Sequence, residues 1–420
     1  MAEFVINGGR KLKGEIKVMG AKNSALKILP ASLLFSGPLK VEKVPLIEDV
    51  FRMVDLLKNI GAEVEFTGKR AIKINAAGQI GSDLKKDIAE KFRGSIVLAG
   101  PVLARTGRVI FPYPGGCVIG KRPIDIFLAG WTKMGAMVRE SASGFDIVAK
   151  HLSGTDFTFR NISVTGTETL MMTAVLAHGK TILRNAALEP EIPSLAGFLN
   201  KSGAKIKGAG SPIIEIIGTD GKLLSANKAF EVIPDRIEAG DFLILGAMIG
   251  NEIKVMDCNP EHLTTLIAML ESLGIKIRKG KNWISVSKPK ILSSSDIKTK
   301  EYPGFVTDLQ APFTVLMTQA HGESIIFETV FDGRLNYVDD LNRMGANISP
   351  LDPHRVLVRG PTPLRGRKIE SPDLRAGLAF VMAALIAKGE SIVKNIYQIE
   401  RGYERIEERL QKIGADIKRI

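Results

Sequence analysis

Glycine recurs in a fixed pattern six times along the 420-residue chain, at intervals of about seventy residues. In one phase of the pattern a strand-like segment follows the glycine, at Gly61, Gly135, Gly203, Gly274, Gly345 and Gly414. In a second phase an apolar helix-like run ends at glycine before a β-rich run: Gly37, Gly107, Gly179, Gly250, Gly322 and Gly389. Because glycine adopts positive φ without a Cβ penalty, both sets are predicted to end helices.

The repeating unit predicted from these glycines has two helices and several strands, in the order β-α-β-α-β-β. The chain is too long for one simple core, so six units predict an α/β protein of two domains with three units each. We expect the boundary near residues 233–238, where "VIPDRIE" follows a weakly patterned segment.

The composition is that of a soluble globular protein, with 45% hydrophobic and 25% charged residues. No apolar run approaches the roughly 18 residues that a membrane span needs, and the N-terminus lacks the order of a signal peptide, so we expect a cytoplasmic protein. The two cysteines, Cys117 and Cys258, suit free thiols in a reducing compartment. The five histidines show no metal-ligand spacing, and neither a metal nor a cofactor is expected.

The net charge of +13 indicates anionic partners. Nucleic acid is one class of partner, and small polyanionic substrates bound in a cleft are another. Lys and Arg are spread along the whole chain, and aromatic residues make up only 6%, too few for an obvious base-stacking platform. Composition alone leaves both classes open.

Several arginines stand at predicted helix N-termini, where the helix dipole disfavours a cation: Arg93, Arg122, Arg334, Arg375 and Arg401. Because helix N-termini bind anions, added arginines would make a strong anion site. If the helices of each domain run parallel, these ends gather at a cleft between the domains. In "SPDLR" the predicted N-cap is Ser371, with Pro372 as the first helical residue.

Six motifs, in this order along the chain, resemble the family of UDP-N-acetylglucosamine enolpyruvyl transferases: "GAKNSALKI" from Gly20, "PGGCVIGKRPID" from Pro114, "PGFVTDLQ" from Pro303, "ETVFDGR" from Glu328, "DLRAG" from Asp373 and "ERGYERIEERL" from Glu400. The resemblance covers essentially the whole chain. It implies two similar domains, each an inside-out α/β barrel of three βαβαββ repeats. It also implies that residues 1–19 join the second domain. The expected domains are then 20–232 and 1–19 with 233–420, with the active site in the cleft between them.

The resemblance implies transfer of the enolpyruvyl group of phosphoenolpyruvate to the 3-hydroxyl of UDP-N-acetylglucosamine, with release of phosphate. This reaction is the first committed step of peptidoglycan synthesis, on which the cell wall, cell shape and cell division depend. The implied partners are these two small substrates and the inhibitor fosfomycin, with no nucleic acid, membrane or cofactor.

The resemblance also assigns site residues. Cys117 would be the general acid, form an adduct with phosphoenolpyruvate and be alkylated by fosfomycin. Asp308 would be the base, and Lys22 and Arg401 complete the catalytic set. The phosphoenolpyruvate ligands would be Lys22, Asn23, Arg122, Arg401, Arg334 and Arg375. The UDP-N-acetylglucosamine ligands would be Arg93, Arg122, Pro123, Ile124, Asp125, Ile126, Ser163, Val164, Asp308 and Val330.

The chain departs from the family pattern at two positions. Thr165 stands where the family usually has glycine, next to the expected contact with the uridine diphosphate. Phe127 stands where a histidine is often found, so no histidine role is assigned there.

Four alternatives remain open on the sequence. A sister reaction on shikimate-3-phosphate shares fold and donor, but that family lacks the mobile cysteine. A basic nucleic-acid-binding protein could be built from the same repeat, as in RNA 3′-terminal phosphate cyclases, and would bind with a steep salt dependence. A paralogue could bind the UDP-sugar without turnover. The segment "GGCVIGKR" is one residue from a phosphate-loop NTPase pattern, but Arg122 replaces the Ser/Thr that would hold magnesium.

Overall fold

The computed structural model describes residues 2–115 and 123–420. These residues form two compact units. The N-terminal unit comprises residues 20–115 and 123–233, and the C-terminal unit comprises residues 2–19 and 234–420. Each unit is an α/β structure built from three repeats.

The chain opens with two strands of the C-terminal unit, β1 (Phe4–Asn7) and β2 (Leu12–Lys17). The N-terminal unit follows with α1 (Lys22–Ala31), β3 (Leu39–Glu42), α2 (Glu48–Asn59), β4 (Glu63–Gly68), β5 (Ala71–Asn75), α3 (Lys86–Ala89), α4 (Ile96–Thr106), β6 (Arg108–Phe111), α5 (Asp125–Lys133), β7 (Met137–Ser141), β8 (Gly144–Val148), β9 (Asp156–Thr158), α6 (Val164–Val175), β10 (Lys180–Arg184), α7 (Glu191–Lys201), β11 (Lys205–Lys207), β12 (Ile213–Ile217) and β13 (Phe230–Glu231).

The C-terminal unit resumes with α8 (Arg236–Ile249), β14 (Gly250–Met256), α9 (Thr264–Ser272), β15 (Lys276–Lys279), β16 (Trp283–Ser287), β17 (Ile297–Lys298), α10 (Gln310–Met317), β18 (Gly322–Phe327), α11 (Val338–Arg343), β19 (Asn347–Asp352), β20 (Arg355–Gly360), β21 (Lys368–Glu370), α12 (Leu374–Ile386), β22 (Glu390–Lys394), α13 (Tyr397–Glu400), α14 (Ile406–Lys412) and β23 (Asp416–Arg419). Short 3₁₀ turns adjoin several helices, at Ser32–Leu34, Arg93–Ser95, Pro260–Leu263 and Thr307–Leu309.

Among the described residues the strands form six sheets, three in each unit. In the N-terminal unit the strand orders are β13-β3-β5-β4, β6-β8-β7 and β11-β12-β10-β9. In the C-terminal unit the orders are β15-β16-β14-β2, β17-β18-β20-β19 and β21-β22-β1-β23. Each four-stranded sheet consists of three antiparallel strands and one edge strand that pairs in parallel. The predicted β-α-β-α-β-β repeat is therefore confirmed.

The strand β1 completes the last sheet of the C-terminal unit, although it comes first in the chain. It lies between β22 and β23 and is antiparallel to both, with Ile6 opposite Ser391 on one side and Ile417 on the other. The backbone N–H and C=O of Glu3 bond the C=O and N–H of Ile420, each at 3.0 Å. The first and last described segments therefore meet in one sheet.

The centre of each unit contains three helices surrounded by its sheets. Helices α1, α4 and α6 pack on one another in the N-terminal unit, and α8, α10 and α12 do so in the C-terminal unit. Nearly all their residues are buried, as expected of helices that are apolar on every side. Close contact requires glycine at Gly100 of α4, where a Cβ would lie 2.6 Å from the hydroxyl oxygen of Thr173 in α6. Helices inside and sheets outside confirm the inside-out α/β barrel. None of the described helices is long and apolar enough to cross a membrane.

The predicted positive φ of the repeated glycines is only partly correct. It is confirmed for the whole first set and, in the second set, for Gly107, Gly179, Gly322 and Gly389. Gly250 instead has φ −72° and is the first residue of β14, so the chain passes from helix to strand without a left-handed turn. Gly37 also lacks a positive φ, because the chain leaves the preceding helical turn two residues earlier, through Phe35 in an extended conformation.

Candidate active site

Three charged side chains of the C-terminal unit meet just before α10. Asp308 lies in the 3₁₀ turn Thr307–Leu309, and its Oδ1 accepts hydrogen bonds from Nη2 of Arg334 and Nε of Arg375, each at 3.0 Å. Both arginines are only 5% exposed, whereas the Asp308 side chain is 30% exposed. We call Asp308, Arg334 and Arg375 the acid–arginine cluster.

The two guanidinium groups determine the protonation state of Asp308. Burial by itself would raise the pKa of this carboxyl, but the positive charges of Arg375 and Arg334 outweigh it and hold the pKa well below its usual range. Asp308 is therefore ionised at neutral pH. Within the described residues its second oxygen, Oδ2, makes no hydrogen bond, so this oxygen can accept one from a ligand hydroxyl.

The fully buried carboxylate of Glu328 holds together the two segments that carry this cluster. Its Oε2 accepts a hydrogen bond from the Thr307 hydroxyl at 2.8 Å, beside Asp308. Its Oε1 accepts from the backbone N–H groups of Val330 and Phe331 at 2.8 and 3.2 Å, on the loop that leads to Arg334. The sequence assigned no role to Glu328, although an acidic residue directly after an apolar strand could have indicated one.

Arg375 reaches the cluster because α12 begins one residue before it. Asp373 is the N-cap of this helix, and its Oδ1 accepts hydrogen bonds from the backbone N–H groups of Arg375 and Ala376 at 2.8 and 3.1 Å. The predicted N-cap, Ser371, is wrong by two residues. Its hydroxyl instead donates to the backbone oxygen of Asp373 at 3.1 Å.

Arg375 has a second set of contacts that sequence reasoning missed. Its Nη1 donates to the Tyr403 hydroxyl at 2.6 Å, and this hydroxyl donates to Oδ2 of Asp241 at 2.5 Å. Tyr403 and Asp241 are 1% and 0% exposed. Burial raises the pKa values of both groups well above their usual ranges, although the charge of Arg375 opposes the increase. No local pattern reveals this contact, because the three residues lie on separate segments.

Two further predicted site residues of the C-terminal unit, Arg401 and Val330, lie on loops. Arg401 directly follows α13, and its Nη1 donates to Oε1 of Gln398 at 3.2 Å. It precedes Tyr403 by two residues in the chain. Val330 lies between β18 and α11, where Glu328 binds its backbone N–H.

A second charged cluster lies at the start of α1 in the N-terminal unit. Lys22 and Asn23 are the first two residues of the helix, and the Lys22 ammonium lies 2.6 Å from Oδ2 of Asp49. One turn later, Lys27 donates to the backbone oxygen of Asn23 at 3.0 Å. The Lys27 ammonium also lies 2.9 Å from Oε2 of Glu168 in α6. Lys22 and Asn23 are thus supported from inside the unit.

The predicted sugar-nucleotide residues of the N-terminal unit are linked by surface hydrogen bonds. Nη2 of Arg93 donates to the backbone oxygen of Pro123 at 3.2 Å. Ile124 is buried, whereas Asp125 starts α5 and accepts a hydrogen bond from Arg160, a residue that the sequence analysis did not select. Asp125 and Ile126 are the first two residues of α5.

Ser163 and Val164 are also predicted to bind the sugar nucleotide, and they follow Arg160 closely in the chain. Ser163 caps α6 by accepting a hydrogen bond from the Gly166 N–H at 3.0 Å, and Val164 is the first residue of the helix. The Arg160–Asp125 ion pair therefore connects the loop before α6 to the start of α5.

Cys117 and Arg122 lie outside the described residues. The other cysteine, Cys258, is buried, and burial raises the pKa of its thiol to about 11. Across residues 2–115 and 123–420, no group of three or more His, Cys, Asp or Glu side chains is arranged to hold a metal ion.

Comparison with known proteins places the chain in a family. The family described as EPSP synthase (3-phosphoshikimate 1-carboxyvinyltransferase) matches residues 6–410. A protein of Koribacter versatilis, named UDP-N-acetylglucosamine 1-carboxyvinyltransferase, is 43% identical over 100% of this chain and 97% of its own. A protein of Campylobacter hominis with the same name is 43% identical over 99% of this chain and 98% of its own.

Solved structures with lower sequence identity show the same fold. The enolpyruvyl transferase NikO from Streptomyces tendae superposes with a TM-score of 0.90 at 23% identity, over 100% of this chain and 98% of that chain. EPSP synthase from Acinetobacter baumannii superposes with a TM-score of 0.76 at 18% identity, over 100% of both chains. The fold is that of the enolpyruvyl transferases.

The chain belongs to the EPSP synthase family and, within it, to the UDP-N-acetylglucosamine 1-carboxyvinyltransferases, which it matches at 43% identity along its whole length. The resemblance inferred from the six motifs is confirmed, and the protein is a transferase.

Proposed function

We propose that this enzyme transfers the enolpyruvyl group of phosphoenolpyruvate to the 3-hydroxyl of UDP-N-acetylglucosamine and releases phosphate, a step that commits the sugar to peptidoglycan synthesis. Full-length similarity to relatives of that name supports the reaction. The single structural observation that carries it is the acid–arginine cluster, in which an ionised carboxylate accepts hydrogen bonds from two buried guanidinium groups through Oδ1, while Oδ2 makes none among residues 2–115 and 123–420. Hydroxyl activation needs such an oxygen, and anionic substrates need such cations.

The chemistry has two steps. In the addition step the sugar 3-hydroxyl oxygen bonds to C2 of phosphoenolpyruvate, its proton passes to a base, and an acid delivers a proton to C3. The product is a tetrahedral ketal that retains the phosphate. In the elimination step C3 loses a proton, the bond from C2 to the phosphate oxygen breaks, and an enolpyruvyl ether and inorganic phosphate form. The reaction therefore needs an acid, a base and cations for a carboxylate and a phosphate.

We assign the base to Asp308 and the support of the intermediate's charges to Arg334 and Arg375. In the described arrangement Asp308 is a weak base, because both arginines stabilise its ionised form. An anionic substrate that attracts the two guanidinium groups would weaken their hold on Oδ1. The pKa of Asp308 would then rise toward the range of an effective general base.

The remaining assignments follow the family. Lys22, Asn23, Arg122 and Arg401 are proposed to bind phosphoenolpyruvate together with Arg334 and Arg375. The UDP-sugar is proposed to bind Arg93, Arg122, Pro123, Ile124, Asp125, Ile126, Ser163, Val164, Asp308 and Val330. The Lys22 ammonium and the Arg93 guanidinium supply the positive charge that phosphate-bearing ligands require.

Cys117 is proposed as the general acid and as the nucleophile that fosfomycin alkylates. The proposed compartment is the cytoplasm, because the free thiol of Cys258 suits a reducing environment. Cell shape and division would depend on the enzyme through the cell wall that its product builds.

A phosphate-release assay tests the proposal. The purified protein is incubated with both substrates, with each substrate omitted in turn, and with shikimate-3-phosphate replacing the UDP-sugar. Phosphate is expected only when phosphoenolpyruvate and UDP-N-acetylglucosamine are both present. Release that depends on shikimate-3-phosphate instead would show that the proposed acceptor is wrong. An Asp339→Asn variant, which changes an exposed aspartate on α11, is the control for protein handling and should retain full activity.

A further inference from the structure

A chain of hydrogen bonds runs from the acid–arginine cluster into the interior of the C-terminal unit. Asp308 binds Nε of Arg375 at 3.0 Å, Nη1 of Arg375 binds the Tyr403 hydroxyl at 2.6 Å, and that hydroxyl binds Asp241 at 2.5 Å. Asp308 precedes α10, Arg375 is on α12 and Asp241 is on α8. This series of hydrogen bonds therefore connects all three central helices. We call Arg375, Tyr403 and Asp241 the arginine relay.

Stability does not explain why Asp241 is present. Its carboxyl group is 0% exposed, and within the described residues Oδ1 has no hydrogen-bond partner. A buried polar atom without a partner destabilises a folded protein, and apolar residues of similar shape often replace buried polar groups without loss. A residue that destabilises the core at this place needs another explanation, and its hydrogen bond from Tyr403 suggests what it is.

The relay restrains the orientation of the Arg375 guanidinium. This group is planar, and two of its three nitrogens are held, Nε by Asp308 and Nη1 by Tyr403. The third nitrogen, Nη2, makes no hydrogen bond within the described residues. Because a planar guanidinium group that is bound at two of its nitrogens cannot rotate, the N–H groups on Nη2 keep a fixed direction.

Asp241 determines which way the Tyr403 hydroxyl points. A hydroxyl can donate one hydrogen bond and also accept. Because a guanidinium can only donate, Tyr403 presents a lone pair to Arg375 at 2.6 Å and donates its own proton to Asp241 at 2.5 Å. Without an acceptor at position 241, the hydroxyl proton is free to rotate and the contact to Arg375 is no longer enforced.

We propose that Tyr403 and Asp241 are positioning residues that hold the Arg375 guanidinium in place for the anionic groups of phosphoenolpyruvate and of the tetrahedral intermediate. The inference rests on the proposed function, because it takes these anions as the ligands of Arg375. Because Tyr403 and Asp241 are almost fully buried, the proposed role needs no contact of either residue with substrate. They act through Arg375, whose guanidinium plane is fixed at Nε and Nη1.

A kinetic comparison of two tyrosine variants tests this role. Tyr403→Phe removes only the relay hydroxyl and should raise the KM for phosphoenolpyruvate about tenfold and lower kcat several-fold, with the dissociation constant of UDP-N-acetylglucosamine changed by less than about twofold. Tyr337→Phe is the matched control. Tyr337 is also 1% exposed, and its hydroxyl donates to Thr314 at 2.8 Å and not to Arg375. It should lose comparable thermal stability with no change in the KM for phosphoenolpyruvate.

Variants at position 241 test whether the relay acts as one unit. Asp241→Leu removes the acceptor and should reproduce the kinetic effect of Tyr403→Phe. Asp241→Asn keeps an acceptor oxygen and should recover most of the activity. The double variant Asp241→Leu with Tyr403→Phe should be no worse than either single variant, since each already breaks the relay. Additive effects would show that the two residues act separately and would overturn the relay.

A crystal structure of Tyr403→Phe separates this inference from the proposed function, because it requires no turnover. The expected result is loss of the single Arg375 orientation, seen as a second conformer or a lengthened contact to Oδ1 of Asp308, which is 3.0 Å in the wild type. An unchanged Arg375, or wild-type kinetic constants for phosphoenolpyruvate in Tyr403→Phe, would overturn the inference. So would a parallel loss of affinity for both substrates in Tyr403→Phe and Tyr337→Phe. The wild-type phosphate-release assay decides the proposed function independently.

Discussion

Lys27 of α1 and Glu168 of α6 form an ion pair inside the N-terminal unit, with 2.9 Å between Nζ and Oε2. Glu168 is 0% exposed and Lys27 is 6% exposed. The same ammonium donates to the backbone oxygen of Asn23, so the pair joins the first turn of α1 to the neighbouring central helix. The buried pair therefore supports the first turn of α1, which carries Lys22 and Asn23, two residues proposed to bind phosphoenolpyruvate.

Replacement of Lys27 by an apolar residue is expected to destabilise the folded protein. Lys27→Met leaves the Glu168 carboxylate buried without its cation and should lower the free energy of unfolding by about 3 kcal/mol, measured by urea denaturation at neutral to alkaline pH. The matched control is Lys180→Met, which breaks a surface pair of the same 2.9 Å length and should change stability little. The double variant Lys27→Met with Glu168→Leu should recover most of the loss. Equal effects of Lys27→Met and Lys180→Met would contradict the prediction.

The same pair predicts a pH dependence of stability. Burial raises the pKa of Glu168 from 4.5 to about 7, Lys27 partly offsets this, and the nearby Glu191 and Glu189 add to it. Between these values the folded protein binds more protons than the unfolded chain, so stability falls as the pH rises. The contribution of Glu168 to the free energy of unfolding is complete below about pH 4.5 and is lost as the pH rises past about 7.

The measurement is the difference in unfolding free energy between wild type and Glu168→Gln, which has no charge to titrate. This difference should decrease from pH 5 to pH 7 and then level off. A difference that is constant, or that grows with pH, would show that Glu168 is ionised throughout and that Lys27 compensates its burial fully.

Asp308→Asn should separate catalysis from binding. The amide keeps an acceptor oxygen for the arginines but cannot take up a proton, so kcat should fall by at least about 100-fold. The dissociation constant of UDP-N-acetylglucosamine, measured by calorimetry, should change only a few-fold. Asp339→Asn is the control for loss of a surface carboxylate. If kcat and sugar affinity fell by the same factor, Asp308 would be a binding residue and not a base.

Fosfomycin should modify Cys117 and leave Cys258 intact. Thiolates are the reactive form of cysteine, and burial raises the pKa of Cys258 to about 11, so almost none of it is ionised at neutral pH. Intact-mass spectrometry should show one addition, and peptide mapping should assign it to Cys117. The Cys117→Ser variant should show no addition while still binding UDP-N-acetylglucosamine. An adduct on Cys258, or full activity of Cys117→Ser, would contradict the assignment.

The architecture was predictable because it depends on local rules that repeat. Glycines at a period of about seventy residues indicated six units, and six sheets are present among the described residues. The errors in the predicted helix boundaries also have local causes. Asp373, not Ser371, caps α12, since the cap requires an extended residue immediately before the helix, and Asp373 has φ −152° and ψ 176°.

The electrostatic partners were not predictable in this way. The arginine motif indicated an anion site, but it could not show that Asp308 already occupies both Arg334 and Arg375. Nor could it show that Tyr403 and Asp241 support Arg375, since Tyr403 and Asp241 are separated by 162 positions in the chain and meet only in the tertiary structure. Short motifs indicate which residue types a site contains, whereas the protonation and orientation of those residues depend on tertiary contacts.

The position of β1 has a consequence for how the protein is made. This strand leaves the ribosome before every other described element, yet its partners β22 and β23 are among the last described elements along the chain. The N-terminal unit lies within residues 20–233 and can fold as soon as these have emerged. The C-terminal unit cannot complete its last sheet until β22 and β23 have been synthesised. A nascent chain stalled before Glu390 would therefore carry β1 without a partner, a state that invites aggregation or capture by a chaperone.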